Sequence, residues 1–176
     1  DAYKVLIISA HPEYWSQEMY FRLKEWVFER GGKLMYLGGN GLNCAVEFLD
    51  ESTITVRNSA EGGSSSDMAK IGKESRMDVY YESEANLLGV RCTEEGIMTG
   101  APYRAIDTSH WIFDGTGLCD GDIFGERCLH MRCPGGASGH ETDKMSPSSP
   151  PGTRLLAKGL NPDEGGADMV HHETGS

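Results

Sequence analysis

Residues 4–38 carry the feature that most limits how this chain can fold. Lys4-Val5-Leu6-Ile7-Ile8-Ser9 is a continuous apolar run rich in β-branched residues, the pattern of a strand covered on both faces within a parallel sheet. Pro12 confines His11 to an extended or turn conformation and ends the strand. Ser16 stands in the N-cap position, and Gln17 and Glu18 follow in the acid-favouring first turn. From Gln17 to Arg30 the period is helical, with Tyr20, Leu23 and Val27 on one stripe and Phe21 and Trp26 widening it. Gly31-Gly32 stops the helix. Lys33-Leu34-Met35-Tyr36-Leu37 reads as a second strand, ending in Gly38-Gly39-Asn40-Gly41. Strand, helix and strand within about 35 residues make a βαβ unit.

The remainder is less regular. Residues 57–76 are polar and include Gly62-Gly63-Ser64-Ser65-Ser66, which reads as a mobile loop within one domain spanning 1–176. Leu87-Leu88-Gly89-Val90 is an isolated apolar patch, and His110-Trp111-Ile112-Phe113 reads as a strand. Glycine is frequent from Asp114 to Gly139. Arg154-Leu155-Leu156-Ala157 and Ala167-Asp168-Met169-Val170 read as the last strands, with no closing helix after them. The 176 residues suit a single domain. Sixteen Lys and Arg against 27 Asp and Glu leave a net charge of −11, which argues against nucleic acid or an anionic membrane as partner. No apolar run approaches the ~20 residues of a spanning helix, and no signal-like segment precedes the first strand. Five cysteines without a dense framework suggest free thiols in a reducing, cytoplasmic compartment. Cys128 and Cys133, the one close pair, lack zinc-site spacing.

In a parallel sheet ligands collect beyond the carboxyl ends of the strands. His11 and Glu13 follow the first strand and Asn40 the second, so adjacent parallel strands bring them to one edge. A histidine, a carboxylate and a carboxamide there offer a base or ligand, a metal ligand, and a donor to a developing oxyanion. The same residues also read as a turn, with Glu13 favoured by a helix dipole and Asn40 accepting a left-handed conformation. The glycine turn is neither a P-loop nor GxGxxG. Gly136-Ala137-Ser138-Gly139 is the nearest approach to a nucleophile elbow and has the wrong spacing. His171, His172 and Glu173 make a weak metal site, because neighbouring strand residues point to opposite faces.

Ser9-Ala10-His11-Pro12-Glu13-Tyr14-Trp15-Ser16 followed by Tyr36-Leu37-Gly38-Gly39-Asn40-Gly41 resembles the C-terminal domain of the large (beta) subunit of N,N-dimethylformamidase. Thr99–Arg104, Gly115–Leu118, Gly139–Asp143 and Asn161–Ala167 agree with that family's order of motifs. The resemblance implies an α/β three-layer sandwich with a mainly parallel sheet, similar to class I glutamine amidotransferase-like domains without their cysteine nucleophile and truncated at the C-terminus. It implies a metal-dependent amidohydrolase that cleaves N-substituted formamides to formate and an amine through an iron-activated water. The mononuclear iron of the family is held by two tyrosines and a glutamate. Glu13 matches the glutamate ligand, and His11, Asn40 and Glu141 match catalytic positions. The tyrosine ligands lie upstream of His-Pro-Glu in the family, where this chain has only Tyr3, at the strand's start. A small-molecule amide substrate, a small subunit and homo-oligomerisation are the partners implied. The departure after the glycine turn, Leu42-Asn43-Cys44 in place of aromatics, bears on the substrate pocket. The rival expectation is a catalytically inactive α/β fragment that serves only as a structural or interaction domain.

Overall fold

The computed structural model describes residues 3–56, 76–93, 95, 98–127 and 134–174. The loop expected over 57–76 therefore lies outside the described residues apart from Arg76, and so does the Cys128/Cys133 pair. Strand β1 (Val5–Ala10) leads through a short strand β2 (Tyr14–Ser16) into helix α1 (Gln17–Phe28), and strand β3 (Lys33–Gly38) follows. β3 pairs with β1 in parallel, from Val5 opposite Lys33 to Ala10 opposite Gly38. The βαβ unit thus forms as its periodicity dictates. Ser16 caps α1, its Oγ accepting from the Met19 amide at 3.2 Å. Tyr20, Leu23 and Val27 face inward and join Ile8, Leu42, Ala45, Met77 and Leu87 in the larger of two apolar cores.

Beyond β3 the expected fold does not continue. β4 (Cys44–Phe48) pairs in parallel with β2 and antiparallel with β5 (Ile54–Thr55), in a sheet separate from β1–β3. Two single-turn helices follow, α2 (Met77–Tyr80) and α3 (Ala85–Leu88). The apolar patch at Leu87 is thus the end of a helical turn. Then come β6 (Arg91–Cys92), β7 (Gly100–Ala101), β8 (Tyr103–Ala105), a 3₁₀ turn (Trp111–Phe113), β9 (Ile123–Phe124), β10 (Ser138–Gly139), β11 (Asp143–Lys144), β12 (Arg154–Gly159) and β13 (Asp168–His171). β13-β12-β8-β9 form a four-stranded antiparallel sheet, and β10–β7 and β11–β6 form two-stranded antiparallel ones.

The three-layer sandwich with a mainly parallel sheet is therefore overturned: the described residues form several small mixed or antiparallel sheets with little helix. The physical reason lies in the connections. Each parallel pairing needs a crossover of a dozen or more residues, usually helical, and the described helices after α1 are four residues long. Strands of two or three residues between Gly- and Pro-rich turns close antiparallel instead. The two-sided cover expected for β1 also fails. Val5, Ile7, Met35 and Leu37 lie on one face of the β1–β3 ribbon and are 46–59% exposed. His110–Phe113 is a turn because His110 accepts from the Ile112 amide through Nδ1, closing the backbone locally.

The second core is smaller: Phe113, Leu156 and Ala157, with Tyr103, Leu118, Phe124 and Met169 against it. Polar bonds do much of the joining there. Ser138 Oγ donates to Asn161 Oδ1 at 2.7 Å, and Asn161 Nδ2 donates to Thr99 Oγ1 and to the Ser138 carbonyl. This network consumes Ser138, which is fully buried and therefore serves packing rather than nucleophilic attack. No helix among the described residues is long and apolar enough to cross a membrane.

Candidate functional site

The site forms where three backbone segments meet at the carboxyl edge of β1 and β3. The loop after β1 is stitched to the loop after β3 by main-chain bonds: the Leu42 amide donates to the Pro12 carbonyl and the Cys44 amide to the Glu13 carbonyl, both at 2.9 Å. Trp15 adds its indole N–H to the Pro12 carbonyl at 2.8 Å. The third segment, residues 139–143, arrives from the antiparallel half of the molecule. His140 donates its amide to the Thr99 carbonyl at 2.9 Å and accepts from the Met98 amide at 2.6 Å. Thr142, fully buried, reaches the Glu95 carbonyl through its hydroxyl. Gly39 lets the segments touch, since a Cβ there would run into the carbonyl oxygen of Glu141.

His11 sits between two carboxylates. Its Nε2 is 2.9 Å from Glu13 Oε2 and its Nδ1 is 2.7 Å from Glu141 Oε2. Glu13 and Glu141 are mostly enclosed, with side chains 17% and 22% exposed, whereas His11 is half exposed. A neutral imidazole donates to one carboxylate at a time, and the doubly protonated ring donates to both. The arrangement is thus suited to passing a proton between two acceptors that the imidazole holds apart. Sequence reading brings His11 and Glu13 together through the first loop, and the resemblance names Glu141; the structure sets Glu141 within hydrogen-bond distance of His11.

Asn40 is buried, and its side-chain Oδ1 finds no hydrogen-bond partner among the described residues. Its backbone takes the left-handed conformation at φ 55°. Ala10 (65°), Leu42 (59°) and His140 (72°) share that region, so strained non-glycine residues flank each of the three segments. Each costs on the order of 1 kcal/mol. Such strain persists only where the surroundings hold it, and functional sites are where it collects.

Two further residues complete the constellation, and sequence reasoning missed both. Asp143 is buried and accepts from the Asn40 amide at 2.8 Å and from the Tyr36 hydroxyl at 2.7 Å. Tyr36 Oη in turn accepts from the Gly41 amide at 2.7 Å. Burial raises the Asp143 carboxyl above its ordinary value, against the pull of Tyr36 and of the Asn40 and Gly41 amides. Burial, then Asp143 itself, pushes the Tyr36 phenol far up, so this tyrosine stays protonated. Cys92, opposite Asp143 in the β6–β11 pair, has its thiol pushed up to about 12, first by burial and then by Asp143, and is inert as a nucleophile. The one signal available in sequence was the alternation Glu141-Thr142-Asp143, which marks two acids on the same side of an extended segment.

Iron is the cofactor that the resemblance implies. Glu13 fits it as a hard oxygen donor. Tyr36 does not fit the part of a tyrosinate ligand, because its hydroxyl is spent on Asp143 and Gly41. Among the described residues no group of three or more His, Cys, Asp or Glu is disposed to hold a metal ion. His171, weighed as a ligand with His172 and Glu173, instead meets His110, Nδ1 to Nε2 at 3.0 Å. The residues gathered here thus fit one ligand of the implied set and not the two tyrosines.

A histidine between two carboxylates thus stands beside a buried carboxamide on an adjoining strained turn. The chain belongs to the N,N-dimethylformamidase beta subunit-like, C-terminal family, which it matches over residues 1–176, and is thereby related to dimethylformamidase. No curated protein matches it. The family takes its name from a beta subunit, a component of a larger assembly.

Proposed function

We propose that this chain carries the acid–base part of a site that hydrolyses N-substituted formamides to formate and an amine. The observation that carries the proposal is the placement of His11 between Glu13 and Glu141, in a chain of the dimethylformamidase-related family. Glu141 removes a proton from the attacking water, whose oxygen bonds to the formyl carbon. Asn40 donates its side-chain N–H to the oxygen of the tetrahedral intermediate. His11 takes up that proton and delivers it to the nitrogen as the C–N bond breaks, so that the neutral amine leaves with formic acid, which then gives up its hydroxyl proton to become formate. Iron, where bound through Glu13 and two tyrosines outside this cluster, supplies a Lewis acid for the carbonyl or the water.

The test is dimethylformamide hydrolysis by the assembled, iron-loaded protein. His11→Ala and Glu141→Gln are expected to lower kcat by about 100-fold or more, in the range of lost general acid–base catalysis. Glu13→Gln is expected to lose iron as well as rate. Full iron content and full rate in Glu13→Gln would remove Glu13 as a ligand, and parental kcat in His11→Ala would end the hydrolase reading.

The second reading, a structural or interaction domain without activity of its own, is favoured by the uncovered apolar face of Val5, Ile7, Met35 and Leu37. Substitution within the assembled protein separates the two. Hydrolysis that falls with His11→Ala and Glu141→Gln while the assembly stays intact supports the enzyme, and iron content and rate untouched by both support the structural role.

A further inference from the structure

We infer that Asp143, acting with Tyr36, is the positioning element of this site, holding Asn40 in its strained turn and fixing it against Glu141. The inference rests on the hydrolase reading above and assigns a role to two residues that neither touch the reacting atoms nor belong to the histidine–carboxylate cluster.

The geometry has three parts. Asp143 spans the joint between the two halves of the molecule: it belongs to β11, opposite Cys92 of β6, yet its carboxylate reaches the turn after β3. One oxygen accepts from the Asn40 amide at 2.8 Å and the other from the Tyr36 hydroxyl at 2.7 Å. Tyr36 relays the clamp to the next residue by accepting from the Gly41 amide at 2.7 Å. Two consecutive amides of the turn are therefore held, directly or through one hydroxyl, by a single buried carboxylate. Gly41 makes the relay possible, since a Cβ there would strike the Tyr36 ring.

The clamp has a consequence for the chemistry. Asn40 needs φ 55°, a region that asparagine tolerates but does not favour. Released from Asp143, the turn relaxes and the Asn40 carboxamide swings away from the place where it would meet a tetrahedral oxygen. Glu141 precedes Asp143 by two residues, and its carbonyl lies against Gly39, so the same contact sets the distance between the carboxylate base and the carboxamide donor. A misplacement of about 1 Å is enough to cost some 100-fold in rate. A clamp needed only for folding is made more cheaply by neutral partners, because a carboxylate taken out of water is costly unless its hydrogen bonds are complete.

Asp143→Asn and Tyr36→Phe, singly and together, test this in the assembled iron-loaded protein with dimethylformamide as substrate. Expected for each single variant is a kcat about 10- to 100-fold lower, the range seen for supporting hydrogen-bond partners, with KM changed by less than about threefold. Because the two residues act as one unit, the double variant is expected to fall no further than the worse single one. Amide hydrogen exchange at Asn40 and Gly41 is expected to quicken in both variants, a readout independent of turnover. If Asp143→Asn does not fold, Tyr36→Phe, which loses a single oxygen, carries the test alone. Parental kcat in the variants that fold overturns the inference, as does a loss confined to KM or one that vanishes at temperatures where the variant is fully folded. If His11→Ala and Glu141→Gln abolish hydrolysis while Asp143→Asn and Tyr36→Phe retain it, the positioning role falls and the hydrolase reading stands. If His11→Ala and Glu141→Gln also keep the parental rate, the reading falls and takes the inference with it.

Discussion

The βαβ unit at the N-terminus and the four-stranded antiparallel sheet β13-β12-β8-β9 are stabilised in opposite ways. The first relies on apolar periodicity: Tyr20, Leu23 and Val27 of one helical stripe supply much of a core that also buries Leu42, Met77 and Leu87. The second has a core of Phe113, Leu156 and Ala157, and its cohesion comes from paired polar groups. Arg154 is paired with Asp107, Lys158 with Asp168 at 2.6 Å, and the buried Ser138 and Asn161 are linked to each other and on to Thr99. A periodic apolar stripe specifies its partner face over many residues, whereas polar joints specify single points. The candidate site lies between the two, taking His11, Glu13 and Asn40 from the periodic unit and Glu141 and Asp143 from the polar one.

The comparison breaks most visibly in the cores. Tyr20→Ala removes a fully buried ring and the hydroxyl that reaches Glu82 at 2.9 Å and the Ser83 carbonyl at 3.1 Å, and is expected to destabilise by roughly 3–5 kcal/mol. Leu156→Ala, at the centre of the second core, is expected to cost about 2–4 kcal/mol. Denaturant midpoints measure both, and amide exchange shows where each acts. Tyr20→Ala should release β1 and β3 first, and Leu156→Ala β12 and β13 first. Identical exchange patterns would mean that the two regions unfold as one unit.

A smaller effect lies in the joint itself. Glu84 is fully buried, and neither carboxylate oxygen has a hydrogen-bond partner among the described residues. Burial raises its carboxyl to about 7. Between the unperturbed value of 4.5 and about 7 the folded chain holds a proton that the unfolded chain has lost, so this group's contribution to stability diminishes as pH rises through that window. Glu84→Gln is expected to stabilise by up to about 3 kcal/mol at pH 8 and to change little at pH 4. Thermal midpoints at the two pH values check it, and an equal shift at both would count against a protonated Glu84.

The smallest expected effect belongs to the polar half. His171 is drawn below its ordinary value of 6.5, chiefly by burial and then by His110, with Glu173 opposing. An imidazole depressed in the folded state binds fewer protons there than in the unfolded chain. The stability it contributes is present above pH 6.5 and is lost as pH falls through that value toward the depressed folded one. The thermal midpoint should decline between pH 7 and pH 5, and His171→Gln should flatten that decline. An unchanged slope in the variant would place the acid sensitivity elsewhere.

Legibility followed the same division. β1, α1 and β3, the Ser16 cap, and the strands at 154–159 and 168–171 were readable because each rests on local spacing. The three-layer sandwich is not borne out: the parallel pairing of the βαβ unit does not extend to a whole sheet, because the later described helices are too short to carry parallel crossovers. His110–Phe113 misled because an apolar run of four residues suits a strand or a turn equally, and a side-chain bond from His110 decided it. In the site, His11 and Glu13 were legible as a short motif after a strand and Asn40 as a glycine-turn residue. Asp143 and Tyr36 were not, since nothing in either local sequence announces a partner 107 positions away.

The sequence by itself determined the strand–helix–strand unit, its capping and the polar character of the turn that follows, because these depend on neighbours within a few residues. Tertiary structure alone decided that the sheet would stop at two parallel strands, that His11 would meet Glu141, and that a buried Asp143 would hold the Asn40 turn in its left-handed conformation. Those outcomes depend on which distant segments meet when the apolar stripe is buried and the remaining polar groups must find partners out of water.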